Sequence, residues 1–191
     1  MQKFIVEGGV TLSGSITPSG NKNEALPVLA AALMANEPVI IHNVPEILDI
    51  SIMKDLLSGI GVVIKQSDKH SYHIDPGHIN NNPDQKNAIR IRGSFLLAGP
   101  LLARKKSVFL PAPGGDRIGL RPVQTHLSAL EKLGTRINLN DKGFYEMETD
   151  GLKGAEIYLD EASVMATENS IMAAVTAQGR TNIYNAACEP H

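Results

Sequence analysis

Three stretches of this chain are apolar on every side of a helix, and they recur at roughly seventy-residue spacing: Ala25 to Ala35, Phe95 to Ala103 and Ile171 to Ala177. A helix without a polar face belongs in an interior, and these are too short to span a bilayer. Three of them cannot each cover a sheet from outside. They are predicted to pack together at the centre, with sheets and amphipathic helices around them.

The sequence between the apolar segments repeats too. Val10 to Ile16 alternates as a strand would, and Pro18-Ser19-Gly20-Asn21 breaks it before a helix from about Asn23, which is predicted to be buried all round. A strand at Val39-Ile40-Ile41 follows, then an amphipathic helix from Asp49 to Ser58 with Ile52, Met53, Leu56 and Leu57 on one face. Val62 to Ile64 and Tyr72 to Ile74 read as a hairpin, which completes a βαβαββ unit. A second unit opens at Ile89-Arg90-Ile91-Arg92 and has its outer helix at Pro122 to Leu133 and a strand at Thr135 to Leu139. Its Leu130 to Thr135 answers Leu57 to Val62 of the first. The third has a strand at Ala155 to Leu159, its apolar helix and a strand at Thr181 to Tyr184, without an outer helix or hairpin. The fold class read from this pattern is α/β, with two complete repeats and a truncated third whose face is uncovered.

Two places suit anionic chemistry. Pro113-Gly114-Gly115-Asp116-Arg117-Ile118-Gly119-Leu120-Arg121-Pro122 is a glycine-rich loop carrying one acid and two cations, with Pro122 fit for the first turn of a helix and Arg121 beside its N-terminus. The starts of the three inner helices carry Lys22 and Asn23, Arg92, and Ser163 with Thr167. If these ends converge, cations, hydroxyls and helix dipoles meet around a polyanionic ligand. The plain alternatives are an ordinary surface turn, and helix caps with stray surface cations.

Composition narrows the function classes. A net charge of −2 over 191 residues argues against general nucleic-acid binding, and Arg104-Lys105-Lys106 reads as the solvated end of a helix. Cys188 is the single cysteine and the six histidines show no ligand spacing, so neither a disulfide nor a metal site is predicted. Trp is absent and aromatics are 4%, which argues against base stacking. The N-terminal stretch lacks a long apolar run, the mark of a signal peptide, and a cytoplasmic location is expected.

Ser19-Gly20-Asn21-Lys22-Asn23, Arg92-Gly93-Ser94, Pro113-Gly114-Gly115, Ile118 to Val123 and Ala166-Thr167-Glu168-Asn169 together resemble the N-terminal part of the UDP-N-acetylglucosamine 1-carboxyvinyltransferase family. The similarity runs from Met1 to about Pro190. It implies an inside-out α/β architecture of two domains with three βαβαββ units each. Residues 1–20 would then be a strand segment that associates with an absent second domain, and residues 21–191 an incomplete repeat domain. By the same resemblance Lys22 and Asn23 contact phosphoenolpyruvate, Arg92 the nucleotide sugar, and Arg121, Pro122, Val123, Gln124 and Thr125 the uridine. Ser163 and Val164 match a diphosphate-binding turn, while Glu161 stands where many members have lysine and Gln124 where many have aspartate. Asp116 occupies the position usually held by a cysteine, and is implied as the general acid with Lys22 and Arg121 stabilising charge.

The reaction implied is enolpyruvyl transfer from phosphoenolpyruvate to the 3-hydroxyl of UDP-N-acetylglucosamine, with release of phosphate and no cofactor. The partners implied are those two substrates and a C-terminal domain of the same protein, with neither nucleic acid nor membrane. Two alternatives remain open: a transferase like 5-enolpyruvylshikimate-3-phosphate synthase, suggested by Gly115-Asp116 before Arg121-Pro122, and a non-catalytic nucleotide-sugar-binding module.

Overall fold

The computed structural model describes residues 3–114 and 122–191. The first inner helix, α1 (Lys22–Ala31), runs into a short 3-10 turn at Ala32–Met34 and leads to strand β1 (Val39–Ile41). The outer helix α2 (Leu48–Gly59) buries Ile50, Ile52, Met53, Leu56 and Leu57, the stripe expected of an amphipathic helix. Strands β2 (Val63–Asp68) and β3 (Ser71–Asp75) form the hairpin, and β3 lies between β2 and β1, antiparallel to both.

The second repeat follows the same path. A 3-10 segment (Arg92–Leu97) continues as α4 (Ala98–Lys105), then come β4 (Ser107–Pro111), α5 (Gln124–Lys132), β5 (Thr135–Leu139) and β6 (Phe144–Thr149). The sheet order β4-β6-β5 matches β1-β3-β2, with Val108 and Ile137 both facing Met147 across β6. In the third repeat β7 (Glu156–Tyr158) pairs in parallel with β8 (Asn182–Tyr184), and α6 (Val164–Ala174) crosses between them.

The inner helices meet at the centre: α4 packs on α6, and α1 touches both α6 and the Arg92–Leu97 segment. Leu29, Phe95, Leu97, Leu101 and Ala173 are wholly or almost wholly buried there. Each buried leucine or phenylalanine contributes about 1.5–3 kcal/mol. Arg104 helps fasten the assembly. Its Nη1 donates to the Leu33 carbonyl at 2.7 Å and its Nη2 to the Gly77 carbonyl at 3.3 Å, so it is tied to backbone rather than solvated as expected.

Four other expectations are corrected. Residues 3–20 form no strand or helix, and Val10, Leu12 and Ile16 are exposed, because an alternating pattern marks two faces but supplies no ladder partner. The opening of the second repeat is likewise not a strand. Before it a helical turn, α3 (Gln85–Ala88), is capped by the Asp84 carboxylate, which accepts from the Lys86 and Asn87 amides, and Ile89 is the C-cap. The helix expected from Pro122 begins at Gln124, after Pro122 and Val123. The first inner helix is also not buried all round, since Val28 is 39% exposed.

Candidate functional site

Asn21 sets the first wall of the site. Its extended backbone and its side-chain oxygen, which accepts from the Asn23 amide at 2.9 Å, start α1 so that Lys22 and Asn23 stand on its first turn. The preceding Gly20 is required by packing, since a Cβ there would overlap the Asn43 carbonyl. Pro27 inside α1 has no N–H to offer the Asn23 carbonyl four residues back. Lys22 Nζ reaches across to Asp49 Oδ2 of α2 at 3.0 Å. Both side chains are more than a third exposed, so this ion pair positions the ammonium more than it stabilises the fold.

The second wall is the start of the second inner helix. Arg90 donates to Asn87 Oδ1 at 2.9 Å, and Arg92 Nη2 donates to the Pro122 carbonyl at 3.1 Å, which joins the inner helix to the segment entering α5. Gly114 backs this wall: a Cβ there would overlap the Ile89 carbonyl. The third wall is α6, capped by Ser163, whose Oγ accepts from the Ala166 amide at 3.4 Å. Thr167 Oγ1 donates to the Ser163 carbonyl at 2.8 Å and accepts from the Ala187 amide at 3.0 Å.

These walls enclose a cavity of about 580 Å³ that Lys22, Asn23, Arg92 and Val164 all line, so the three inner-helix starts converge as the sequence suggested, although Ser163 and Thr167 themselves do not line it. Arg90 adds a third cation, and Asp49, Glu168 and Glu189 add carboxylates. The size suits a nucleotide-sized or smaller polar ligand. The Glu168 carboxyl is pushed up to about 7, by burial first and by the nearby Glu189 carboxylate second. His191 Nε2 lies 3.6 Å from it, too far for a hydrogen bond.

The remaining residues singled out from the sequence are more scattered. Val123 and Thr125 are buried, Pro122 and Gln124 are exposed, and Gln124 Nε2 donates to Ser128 Oγ at 3.4 Å. Glu161 is exposed and does not line the cavity; its carbonyl accepts from the Ser163 amide at 2.7 Å. Asp116 and Arg121 lie outside the described residues, as do Gly115, Arg117, Ile118, Gly119 and Leu120.

Behind the cavity lies a polar cluster that the sequence reading did not single out. Asn169 Nδ2 donates to the Phe95 carbonyl at 2.8 Å and to His126 Nδ1 at 3.0 Å, while its Oδ1 accepts from the Gly99 amide at 2.9 Å. The backbone partners fix which end of the amide is which, so His126 is the Nε2-protonated, neutral tautomer. Burial, and secondarily the Arg92 charge, pull its pKa down to about 3. Phe95 meets the imidazole edge-on at a ring separation of 5.2 Å. Asn169 was legible only as part of a resemblance motif, and His126 only as a helix residue. Asp49 gave no signal, because its pairing with Lys22 spans 27 residues.

Among the described residues no helix is long and apolar enough to cross a membrane, and no cluster of histidine, cysteine or carboxylate side chains is arranged for a metal. The chain is 48% identical over 190 residues to a protein of Bradyrhizobium diazoefficiens named UDP-N-acetylglucosamine 1-carboxyvinyltransferase, covering 99% of this chain and 44% of that protein. Proteins of the same name from Treponema denticola and Bacteroides fragilis are 43% and 40% identical, with all of this chain and 45% of each relative covered. The chain thus spans under half the length of these curated relatives.

Among solved structures, the enolpyruvyl transferase NikO of Streptomyces tendae superimposes with a TM-score of 0.78 at 22% identity, over 92% of this chain and 41% of that one. An EPSP synthase of Acinetobacter baumannii superimposes with a TM-score of 0.71 at 21% identity, over 93% and 40%. These likenesses establish the inside-out α/β fold. The sequence profile of EPSP synthase (3-phosphoshikimate 1-carboxyvinyltransferase) matches residues 6–191, and with repeat, cavity and fold in agreement the chain belongs to that enolpyruvyl transferase family.

Proposed function

We propose that the protein to which this chain belongs transfers the enolpyruvyl group of phosphoenolpyruvate to the 3-hydroxyl of UDP-N-acetylglucosamine and releases phosphate. The observation that carries this reading is the 40–48% identity, over essentially the whole chain, to relatives that bear that activity in their names. Likeness to the shikimate-phosphate enzyme is broader: the family profile that matches residues 6–191 carries its name, and the solved EPSP synthase is 21% identical.

The chemistry divides into two steps. The sugar hydroxyl oxygen attacks C2 of phosphoenolpyruvate and loses its proton, while the methylene C3 gains one, giving a tetrahedral adduct. Phosphate then leaves with its C–O electron pair as a proton departs from C3, restoring the double bond. Asp116 is the proposed proton donor to C3. Lys22 and Asn23, at the cavity wall beside Asp49, are proposed to hold the phosphate and carboxylate of phosphoenolpyruvate, and Lys22 and Arg121 to stabilise developing charge.

Arg92 and the segment Arg121, Pro122, Val123, Gln124 and Thr125 are proposed to hold the sugar and uridine. With Val123 and Thr125 buried, that segment has its backbone and the exposed Pro122 and Gln124 to offer. Ser163 and Val164, at the start of α6, are proposed to receive the diphosphate. Glu161 in place of a cation would weaken that contact by like-charge repulsion. The reading places the reaction in the cytoplasm, at the first committed step of peptidoglycan synthesis. Aspartate in place of the reactive cysteine makes the enzyme fosfomycin-resistant. The test is phosphate release by the full-length protein with UDP-N-acetylglucosamine against shikimate 3-phosphate as acceptor. Turnover with the second and not the first would replace this reading.

A further inference from the structure

An α-helix bonds each N–H to the carbonyl four residues back, so in the second inner helix the Gly99 N–H belongs with the Phe95 carbonyl. The side-chain amide of Asn169, on α6, stands at that rung instead. Its Nδ2 donates to the Phe95 carbonyl at 2.8 Å and its Oδ1 accepts from the Gly99 N–H at 2.9 Å, the two bonds that a peptide unit would make there. The Phe95 carbonyl also takes the Ala98 amide, three residues on, and it is here that the 3-10 segment Arg92–Leu97 gives way to α4. A side chain inserted into the ladder is one of the few devices that redirect a helix. Gly99 makes room for it: a Cβ there would stand 2.7 Å from the Asn169 carbonyl oxygen and 3.0 Å from its Oδ1.

The same nitrogen, Nδ2, donates to His126 Nδ1 of α5 at 3.0 Å. His126 is 2% exposed and its Nε2 has no hydrogen-bond partner, so the bond from Asn169 is what orients the ring against Phe95. Just ahead of α5, the Pro122 carbonyl accepts from Arg92 Nη2. The start of α5 is thus clamped twice, to the segment that carries Arg92 and to α6. Both segments that Asn169 governs carry residues proposed for the nucleotide sugar: Arg92 on one, Pro122 to Thr125 on the other. Lys22 and Asn23, proposed for phosphoenolpyruvate, stand on α1, to which Asn169 makes no hydrogen bond.

We propose that Asn169 is a positioning residue for the acceptor half of the site: its amide sets both the direction of the 3-10 segment that carries Arg92 and the seat of the α5 start that carries Pro122 to Thr125. The inference rests on the assignment of those residues to the nucleotide sugar. Asn169 is wholly buried and acts only through Phe95, Gly99 and His126. Its side chain meets the demand in kind, since the interrupted rung asks for one donor and one acceptor and His126 Nδ1 asks for a second donor. An aspartate of the same shape supplies the acceptor alone.

The test is a comparison of the two substrates in the full-length protein, by phosphate release. Asn169→Asp is expected to raise KM for the nucleotide sugar about tenfold or more, since small displacements of binding groups are costly, while KM for phosphoenolpyruvate stays within about twofold. A purely structural role would lower the amount of active enzyme, and hence kcat, and leave both KM values alike. Equal changes in the two KM values, or none in either, would overturn the proposal. A second pair of variants reads the His126 arm and decides the matter if Asn169→Asp does not fold. His126→Leu removes the acceptor that Asn169 Nδ2 meets and is expected to raise the acceptor KM. His126→Asn returns a carbonyl oxygen near the place of Nδ1 and is expected to restore it. The same acceptor KM in both variants would overturn the proposal. The split is read on whichever acceptor supports phosphate release, so a change of acceptor would overturn the proposed function and leave the role of Asn169 to be decided by the KM values.

Discussion

Glu168 shows how burial and a neighbouring carboxylate set the titration of a single side chain. It is half-buried, faces Glu189, has His191 Nε2 at 3.6 Å, and shares the cavity with Lys22, Arg90, Arg92 and Asp49. Its carboxyl titrates near 7 in the fold, against 4.5 for an unperturbed glutamate. The folded state thus holds the proton more tightly than the unfolded chain, and the stability this supplies is complete below about 4.5 and lost as pH rises through about 7. Thermal unfolding should show a declining limb across that window, flattened by Glu168→Gln; parallel curves for the two proteins would count against it. Asp116 yields a prediction of the opposite kind, for the full-length protein. An aspartate carboxylate is a poor target for an epoxide, whereas a cysteine is partly thiolate near neutrality. Fosfomycin should leave the natural enzyme active and inactivate Asp116→Cys covalently, as intact-protein mass spectrometry would register. Asp116→Asn should lose most turnover, since it keeps the shape but not the acid.

At the scale of elements, the inner helices are joined by a polar contact inside an apolar core. Removing the Asn169 amide strands the Gly99 N–H and His126 Nδ1 together, while the Phe95 carbonyl keeps the Ala98 amide. At about 1–3 kcal/mol for each buried polar group left unpaired, Asn169→Ala should lower the unfolding free energy by at least about 2 kcal/mol in urea titrations. A loss under about 1 kcal/mol would mean that water enters the cluster. Such joints are the part of the fold that a sequence hides. The outer helices α2 and α5, the first hairpin and β5 of the second were legible, because an apolar stripe or alternation is written in neighbouring residues. The strand expected at Val10–Ile16 is not formed within these 191 residues: the alternation is there, but a ladder needs a partner, and the partner expected for residues 1–20 is a second domain. The helical turn α3 was hinted at by Pro83-Asp84, a capping signal overlooked beside the apolar run that follows. In the site, Lys22, Asn23 and Arg92 were readable because they stand at helix starts, while Asp49 and His126 became visible only once α2 and α5 were set against their neighbours.

At the scale of the whole molecule, the site is gathered where the inner helices begin. Lys22, Arg90 and Arg92 bring three cations to the lining of a cavity that the inner-helix starts frame. Rate enhancement of this sort depends on fixed geometry, and a displacement of about 1 Å in a catalytic group costs on the order of a hundredfold. The chain spans 44–45% of its curated relatives, so more than half of their length, with whatever groups it carries, is not available to the 191 residues alone. Purified by themselves, these residues should release no phosphate above the buffer rate from phosphoenolpyruvate and UDP-N-acetylglucosamine. Isothermal titration should nonetheless detect weak heat of binding with the nucleotide sugar, which Arg92→Ala abolishes, because that contact is proposed to lie wholly within this half. Adding the separately produced remainder should restore turnover in a saturable way. Phosphate release by the chain alone that is lost in Lys22→Ala would show that the half-site is catalytically complete and would reverse this prediction.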